Sequence, residues 1–223
     1  MFELKEEVFK ANLELVERKL VLFTFGSASA IDRTKGIIVI KPTGIVYEKM
    51  RPGDMVMVDL NGQIIDGKLK PSRDVTIHLA IYRNFPEVGG IAHTRSIAAT
   101  SWAQAGKGIP VLGTTHADFF NGEIPCTRKL TEAEVTGNYE EEIGKTIVER
   151  FEELNPMELP AVLVYSRGPI SWGVSVAEAV RNATVLEEIA KMAIKTTTIN
   201  PTFSIQKELL TKHFNRSRNK ERL

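Results

Sequence analysis

Two short apolar runs, each ending in a polar loop that carries an arginine, restrict this chain more than any other feature. Gly89-Gly90-Ile91-Ala92-His93-Thr94-Arg95-Ser96 reads as a short buried strand running into a polar turn. Val162-Leu163-Val164-Tyr165-Ser166-Arg167-Gly168-Pro169 repeats the design: an apolar strand, a polar group, a chain stop. Apolar runs this short, bounded by turn residues, read as strands. His93 and Arg95 stand two residues apart and share a face if the strand continues. Two strands that each end by delivering an arginine point to one site built for negative charge.

The rest of the chain supplies the layers around such strands. Phe2 to Lys19 has helical periodicity, with Leu4, Val8, Ala11 and Leu15 three or four apart. Leu20 to Phe25 reads as a strand ending at Gly26, and Ser27-Ala28-Ser29-Ala30 as a small-residue stretch where backbone N–H groups approach a ligand. Gly36 to Ile40 and Met55 to Leu60 read as strands, and Asn61-Gly62 signals a hairpin. Asp74 precedes a helix with Ile77, Ala80 and Ile81 on one face. Ile97 to Ala105 reads as a helix, Pro110 to Gly113 as a strand and Leu130 to Phe151 as largely helical, opened by the capping-box pair Thr131 and Glu134. Ile170 to Gly173 reads as a strand. Ser175 caps a long helix through about Lys195, with Ala179, Asn182, Ala183, Leu186, Ile189 and Ala190 inward. A helical tail from Lys207 turns basic at Arg216, Arg218, Lys220 and Arg222, a solvated end or a contact to a neighbouring subunit or anion. No linker interrupts the 223 residues, which predicts one α/β domain over 1–223.

Composition excludes more than it selects. With 43% hydrophobic and 26% charged residues, the chain has an ordinary globular balance, and its net charge of +1 gives no electrostatic footprint for nucleic acid. No nucleic-acid partner is expected. No apolar run has the length of a membrane span, and the first residues form a charged helical pattern rather than a signal peptide. The single cysteine, Cys126, permits no intrachain disulfide, which predicts a reducing, cytoplasmic location.

Polar groups with chemical potential gather at the predicted strand ends. Lys41-Pro42-Thr43-Gly44 suits a phosphate: the glycine frees backbone N–H groups, the threonine donates a hydroxyl and the lysine adds charge. Ser72 and Arg73 extend that cradle; the structural alternative is a capped turn with a surface lysine. Asp74, Asp118 and Glu140 are the carboxylates available for proton transfer, and Asp74 is equally a helix N-cap. Among the four histidines, His78, His93, His116 and His213, only His93 has a ligand type near it, Asp74, and nothing adjacent completes a zinc set. Motif logic alone therefore predicts neither metal nor cofactor. His78, His93 and His116 each have a structural alternative as a neutral donor to a backbone carbonyl.

Over nearly its whole length the chain resembles the L-ribulose-5-phosphate 4-epimerases of the class II aldolase/epimerase family. The resemblance runs through Ala11-Asn12-Leu13, Ser29-Ala30-Ile31-Asp32-Arg33, Val39-Ile40-Lys41-Pro42-Thr43-Gly44 and Trp102-Ala103-Gln104-Ala105-Gly106. It continues through Gly113-Thr114-Thr115-His116-Ala117-Asp118, Ile124-Pro125-Cys126-Thr127-Arg128, Val185-Leu186-Glu187-Glu188 and Lys212-His213-Phe214. It implies a three-layer α/β fold with a central sheet flanked by helices. It also implies a homotetramer with sites at subunit interfaces, and a zinc that steadies an enediolate. Ser27, Lys41, Thr43, Gly44, Ser72 and Arg73 fall on phosphosugar-binding positions, and Asp74 on an acidic position beside the metal. Thr114, Asp118, Glu140, His213 and Arg216 match residues contributed by an adjoining subunit.

The departures sharpen the reading. Where the family has a His-Thr-His-Ser run, this chain has His93-Thr94-Arg95-Ser96, and the later His-Gly pair is Arg167-Gly168. A guanidinium stays protonated and has no free lone pair, so it cannot ligate zinc. Arg73 and Val75 replace a usual Ser and Thr, Ser27 replaces Asn, and the family's C-terminal catalytic Tyr has no counterpart before Leu223. Three readings follow. In the first, a metal-independent lyase or hydratase acts on a small anion such as bicarbonate/CO2 or a carboxylate. Arg95 and Arg167 then stabilise an oxyanion, and Asp74, His93 or Asp118 moves protons. In the second, a pseudoenzyme binds a phosphosugar or another anion without turnover. In the third, an epimerase holds its metal in an altered site.

Overall fold

Strands β1 (Ser27–Asp32), β2 (Ile37–Ile40), β3 (Val56–Asp59), β4 (Ile64–Asp66), β5 (Gly90–His93), β6 (Ala161–Val164) and β7 (Gly168–Gly173) form one sheet in the order β4-β3-β2-β1-β5-β7-β6. Every pairing is antiparallel. The computed structural model describes the backbone of residues 1–220 and side chains through residue 216. The expected roles of Arg218, Lys220 and Arg222 in the basic tail lie outside the described side chains.

Both faces of the sheet are covered. On β2, Ile38 joins one apolar cluster while its neighbour Val39 joins another; on β5, Ile91 and Ala92 divide the same way. Alternating side chains point to opposite faces, so this division defines a helical layer on each side. Helix α1 (Phe2–Glu17) sends Val8, Ala11 and Leu15 to one face. Helix α2 (Val75–Asn84), α3 (Ile97–Gln104) and α6 (Tyr139–Arg150) cover the other, where Trp172 stacks within 5.6 Å of Phe85 and 5.1 Å of Phe151. Helix α7 (Val176–Ile199) serves both clusters, and all six residues expected to face inward are buried. The three-layer α/β architecture is thus the observed one. Among the described residues, no helix is long and apolar enough to cross a membrane.

Close packing of α7 depends on Gly89 and Gly90. A Cβ on Gly90 would lie 2.2 Å from Val176 N, and one on Gly89 2.1 Å from Val174 O. Farther along, the buried Glu187 carboxylate accepts the N–H groups of Ala98 and Ala99, each at 3.0 Å. This satisfies orphan donors at the start of α3, immediately after Arg95.

Four expected elements differ. Leu20 to Phe25 is a loop, because Lys19, Phe23 and Gly26 adopt positive φ (58°, 49° and 92°), which breaks an extended run. The strand comes next instead, and Ser27 to Ala30 lies inside it as β1 rather than forming a ligand-facing loop. Pro110 to Gly113 is not a strand; only an isolated bridge, Ile109 to Ile124, forms beside a proline that has no N–H to donate. The 130–151 stretch divides into α5 (Glu132–Thr136) and α6, with the Thr131–Glu134 capping box in place.

Candidate active site

The register β1–β5–β7 sets Ser27 opposite His93 and His93 opposite Ile170, so the ends of three strands lie side by side. Arg95 follows β5, which stops at His93, so the two residues do not share a continuing strand. The Arg95 N–H bonds Leu20 O at 2.8 Å, which fixes the turn. Arg167 sits in the tight turn between β6 and β7, behind Ser166 at φ 56° and before Gly168 at φ 149°. A Cβ on Gly168 would meet Arg95 Nη1 at 3.2 Å, so the two arginine-bearing loops abut.

Asp74 is the hub. It occupies the N-cap position of α2, but its side chain makes no cap hydrogen bond. Oδ1 accepts from Arg167 Nη2 at 2.8 Å, and Oδ2 accepts from Ser27 Oγ at 3.0 Å. His93 Nδ1 stands 3.0 Å from Oδ1, out of line for a hydrogen bond. Burial by itself would push the Asp74 carboxyl up; His93, His78 and the Arg167 guanidinium together hold it well below the usual carboxylate range. Burial pushes the His93 imidazole down, against the pull of Asp74. The Nε2 atom of His93 contacts Arg95 Nη1. A guanidinium only donates, so Nε2 is the acceptor and Nδ1 carries the proton.

One wall of the site is a zipper between two loops. Ser72 N donates to Lys41 O at 2.9 Å, Thr43 N donates to Lys70 O at 2.9 Å, and Pro42 bridges to Pro71. Lys41 is buried; its Nζ donates to Thr24 O at 2.9 Å and lies 4.8 Å from the Tyr47 ring centroid. Burial lowers it to about 8, against the pull of Asp74. Beneath Asp74, Ser29 Oγ lies 2.7 Å from His78 Nδ1 and 2.9 Å from Tyr82 OH, and burial lowers His78 to about 3.

A cavity of about 540 Å3 is lined by Lys41, Thr43, Gly44, Ser72, Arg73, Asp74, Arg95, Glu140 and Arg167, together with Thr24, Phe25, Gly26 and Tyr139. Most of the residues singled out in the sequence therefore converge, with Ser27 and His93 touching the hub from β1 and β5. Glu140 lines this chain's own cavity, so no second copy is needed to bring it there. Tyr139 was not foreseen. Its ring lies 5.5 Å from the Arg167 guanidinium, a contact with no local signature in the chain.

Asp118 and His213 are brought to each other rather than to Asp74. His213 Nδ1 lies 2.9 Å from Asp118 Oδ1, and Arg216 Nη2 is 3.6 Å from the same oxygen. They join α4 (Thr114–Phe119), which begins at Thr114, to α8 (Lys207–Lys220). His116 has a structural partner, the Gly122 carbonyl at 2.8 Å, and burial lowers it to about 4.

The zinc implied by the resemblance does not fit these side chains. Arg95 and Arg167 offer N–H groups only, the His93 Nε2 lone pair is taken by Arg95, and Asp74 Oδ1 by Arg167. Among the described residues, no group of three His, Cys, Asp or Glu side chains stands together to hold a metal.

Comparison with known proteins agrees with the fold. Residues 6–194 match the family described as Class II Aldolase and Adducin N-terminal domain. The chain is 50% identical, over 97% of its length and 95% of the relative's, to an L-ribulose-5-phosphate 4-epimerase UlaF of Salmonella paratyphi B (strain ATCC BAA-1250 / SPB7). It is 51% identical over the same shares to the protein of that name from Salmonella paratyphi C (strain RKS4594). A solved L-fuculose 1-phosphate aldolase superposes with a TM-score of 0.81 at 22% identity, covering 96% of this chain and 95% of that one.

Proposed function

The chain belongs to the class II aldolase family, and from that premise we propose an enzyme of small anions in which the Arg95 and Arg167 guanidiniums stabilise the reacting oxyanion. The observation that carries this reading is the charge imbalance of the cavity. Lys41, Arg73, Arg95 and Arg167 line it against two carboxylates, Asp74 and Glu140. A bound anion reduces the imbalance. Fixed guanidinium donors in a partly buried cavity stabilise developing negative charge without reorganising at the moment of reaction. His93, held between Asp74 and Arg95, orients that pair, and the Asp74 carboxylate, engaged by Arg167 and Ser27, fixes the Arg167 guanidinium beside the reacting anion. The reaction class is a lyase or hydratase step on a small carboxylate- or bicarbonate-like anion.

A second reading is favoured by a different observation. The identity of 50% over 97% of the chain to proteins named L-ribulose-5-phosphate 4-epimerase comes with an intact Lys41–Gly44 loop, which supports a pentulose phosphate as substrate. We also propose that the 223 residues act as one domain within a homotetramer. In that assembly Thr114, Asp118, His213 and Arg216 reach the Asp74 cavity of a neighbouring copy.

The test is turnover of bicarbonate/CO2, small carboxylates and L-ribulose 5-phosphate before and after exhaustive chelation, beside metal analysis of the purified protein. Activity that survives chelation and falls about 10²–10³-fold in Arg95→Ala and Arg167→Ala supports the guanidinium reading. Epimerisation that is lost on chelation and restored by zinc replaces it with the second. Ligand-induced stabilisation with no turnover of any substrate makes the protein a binder and overturns both.

A further inference from the structure

We infer that the ligand of this cavity carries two anionic groups, a phosphate at one end and a carboxylate at the other. The inference rests on the reading above, that the cavity takes a small anion. What is added is the separation of the positive charge into two poles.

The first pole is the zipped wall. Lys41 Nζ has a backbone carbonyl and an aromatic face as partners, and no ion pair to a carboxylate within the described residues. Arg73 is exposed at the rim and likewise has no ion pair there. A Cβ built on Gly44 would meet nothing within 4 Å, so open space stands over the loop. Ser72 and Thr43 add hydroxyls, and α2 begins just beyond. This is a tetrahedral anion's set: point charge, hydroxyls and a helix start.

The second pole is the arginine pair. The loops that carry them abut, since a Cβ on Gly168 would meet Arg95 Nη1 at 3.2 Å, and burial and the neighbouring Arg167 both lower Arg95. One carboxylate, Asp74, serves them, and it pairs with Arg167. Among the described residues, the side-chain partners of Arg95 are His93 Nε2 and Thr94 O, neither of them a carboxylate, and Arg167 Nε is a buried donor with no partner. Two planar forks short of one carboxylate are the complement of a ligand carboxylate.

Asp74 separates the poles. Its Oδ2 touches Ser27 and Ser72 and its Oδ1 touches Arg167, so it borders both and repels anionic charge from the middle. A ligand that satisfies both ends therefore spans Asp74 with an uncharged segment of hydroxyl- or oxo-bearing carbons. A volume of about 540 Å3 accommodates a short chain of this kind. The substrate class is a phosphorylated hydroxy- or oxo-carboxylate.

The experiment is calorimetric titration of the full chain with 3-phosphoglycerate and with glycerol 3-phosphate, a matched pair differing in the carboxylate. The parent should bind 3-phosphoglycerate at least about tenfold more tightly. In Arg95→Gln that advantage should vanish while glycerol 3-phosphate affinity stays within about twofold. In Arg73→Gln both should weaken by a similar factor. If Arg95→Gln fails to fold, Arg167→Gln and Arg95→Lys read the same difference. Equal affinity for the two ligands in the parent, or an advantage that survives every arginine variant, overturns the carboxylate pole and leaves the turnover test to judge the enzyme. Failure of both phosphates to bind, with bicarbonate or acetate bound, overturns the two-pole ligand and keeps the small-anion reading. Failure of every anion overturns both.

Discussion

Arg167 Nη2 lies 2.8 Å from Asp74 Oδ1, joining residues 93 positions apart across the mouth of the sheet. Both side chains are largely withdrawn from water, at 13% and 11% exposure. Such a pair is worth little against an apolar substitute, but breaking it from one side leaves a charge stranded. Asp74→Asn is therefore expected to destabilise the protein by about 3 kcal/mol, and Asp74→Asn with Arg167→Met by clearly less than the sum of the single changes. Urea unfolding of the four proteins in the cycle measures this; additive losses would mean that the contact does not couple the residues.

Restoring lone pairs should restore a metal site. In Arg95→His/Arg167→His, His93 loses the guanidinium on Nε2 and gains two imidazole neighbours. Three protein ligands are the usual set for a catalytic zinc. The double variant is expected to purify with close to one zinc per chain by elemental analysis. A variant that folds and binds no zinc would show that the loops have moved as well as the ligands.

Lys41 makes anion binding depend on pH. Its folded value of about 8 lies below the ordinary 10.5 because burial disfavours the charge. Glycerol 3-phosphate affinity should accordingly fall as pH rises through about 8, and Lys41→Arg should flatten that fall. Stability runs the other way: between about 8 and 10.5 the unfolded chain binds more protons, so the lysine's contribution rises with pH over that window. Titrations at pH 7 and pH 9 separate the two effects.

The buried trio under the site gives an acid-side prediction. His78 is held at about 3 against an ordinary 6.5, so the unfolded state takes up the proton first on acidification. Stability is expected to decline from about pH 6.5 downward, approaching about 1.4 kcal/mol per pH unit for this residue alone. Ser29→Ala should cost about 1–3 kcal/mol, because it strips a partner from both His78 and Tyr82; Tyr82→Phe should cost about 1 kcal/mol. Denaturant midpoints across pH 4 to 7 test both, and a pH-independent midpoint would contradict the assignment.

The legible parts of this structure are those whose signal is local. The strand expected over Gly36 to Ile40, the inward set from Ala179 to Ala190 and the Thr131–Glu134 box follow from residue type, backbone period and short-range bonding, and each is found in place. Leu20 to Phe25 has strand-like composition, yet the left-handed backbone at Lys19, Phe23 and Gly26 overrides it. Positive φ outside glycine leaves little trace in residue type. The site was legible as a set of residue types, since Lys41, Ser72, Arg73, Asp74, Arg95 and Arg167 do converge. Which side chain touches which was not. The commitments of Asp74 to Ser27 and of His213 to Asp118 are made across 47 and 95 residues, and Tyr139 enters only because α6 packs over Arg167.

Gly89 and Gly90 have a consequence for how such a protein changes over generations. Histidine and arginine codons are one base apart, and the two arginines stand in loops with an open cavity before them. A Cβ at Gly90, by contrast, meets the backbone of Val176 at 2.2 Å, where no flexible side chain can yield. A lineage can therefore exchange the reagents at the strand ends one mutation at a time while the seat of α7 admits almost no variation. On this scaffold chemistry drifts more readily than shape, and the least replaceable positions are ones that touch no substrate.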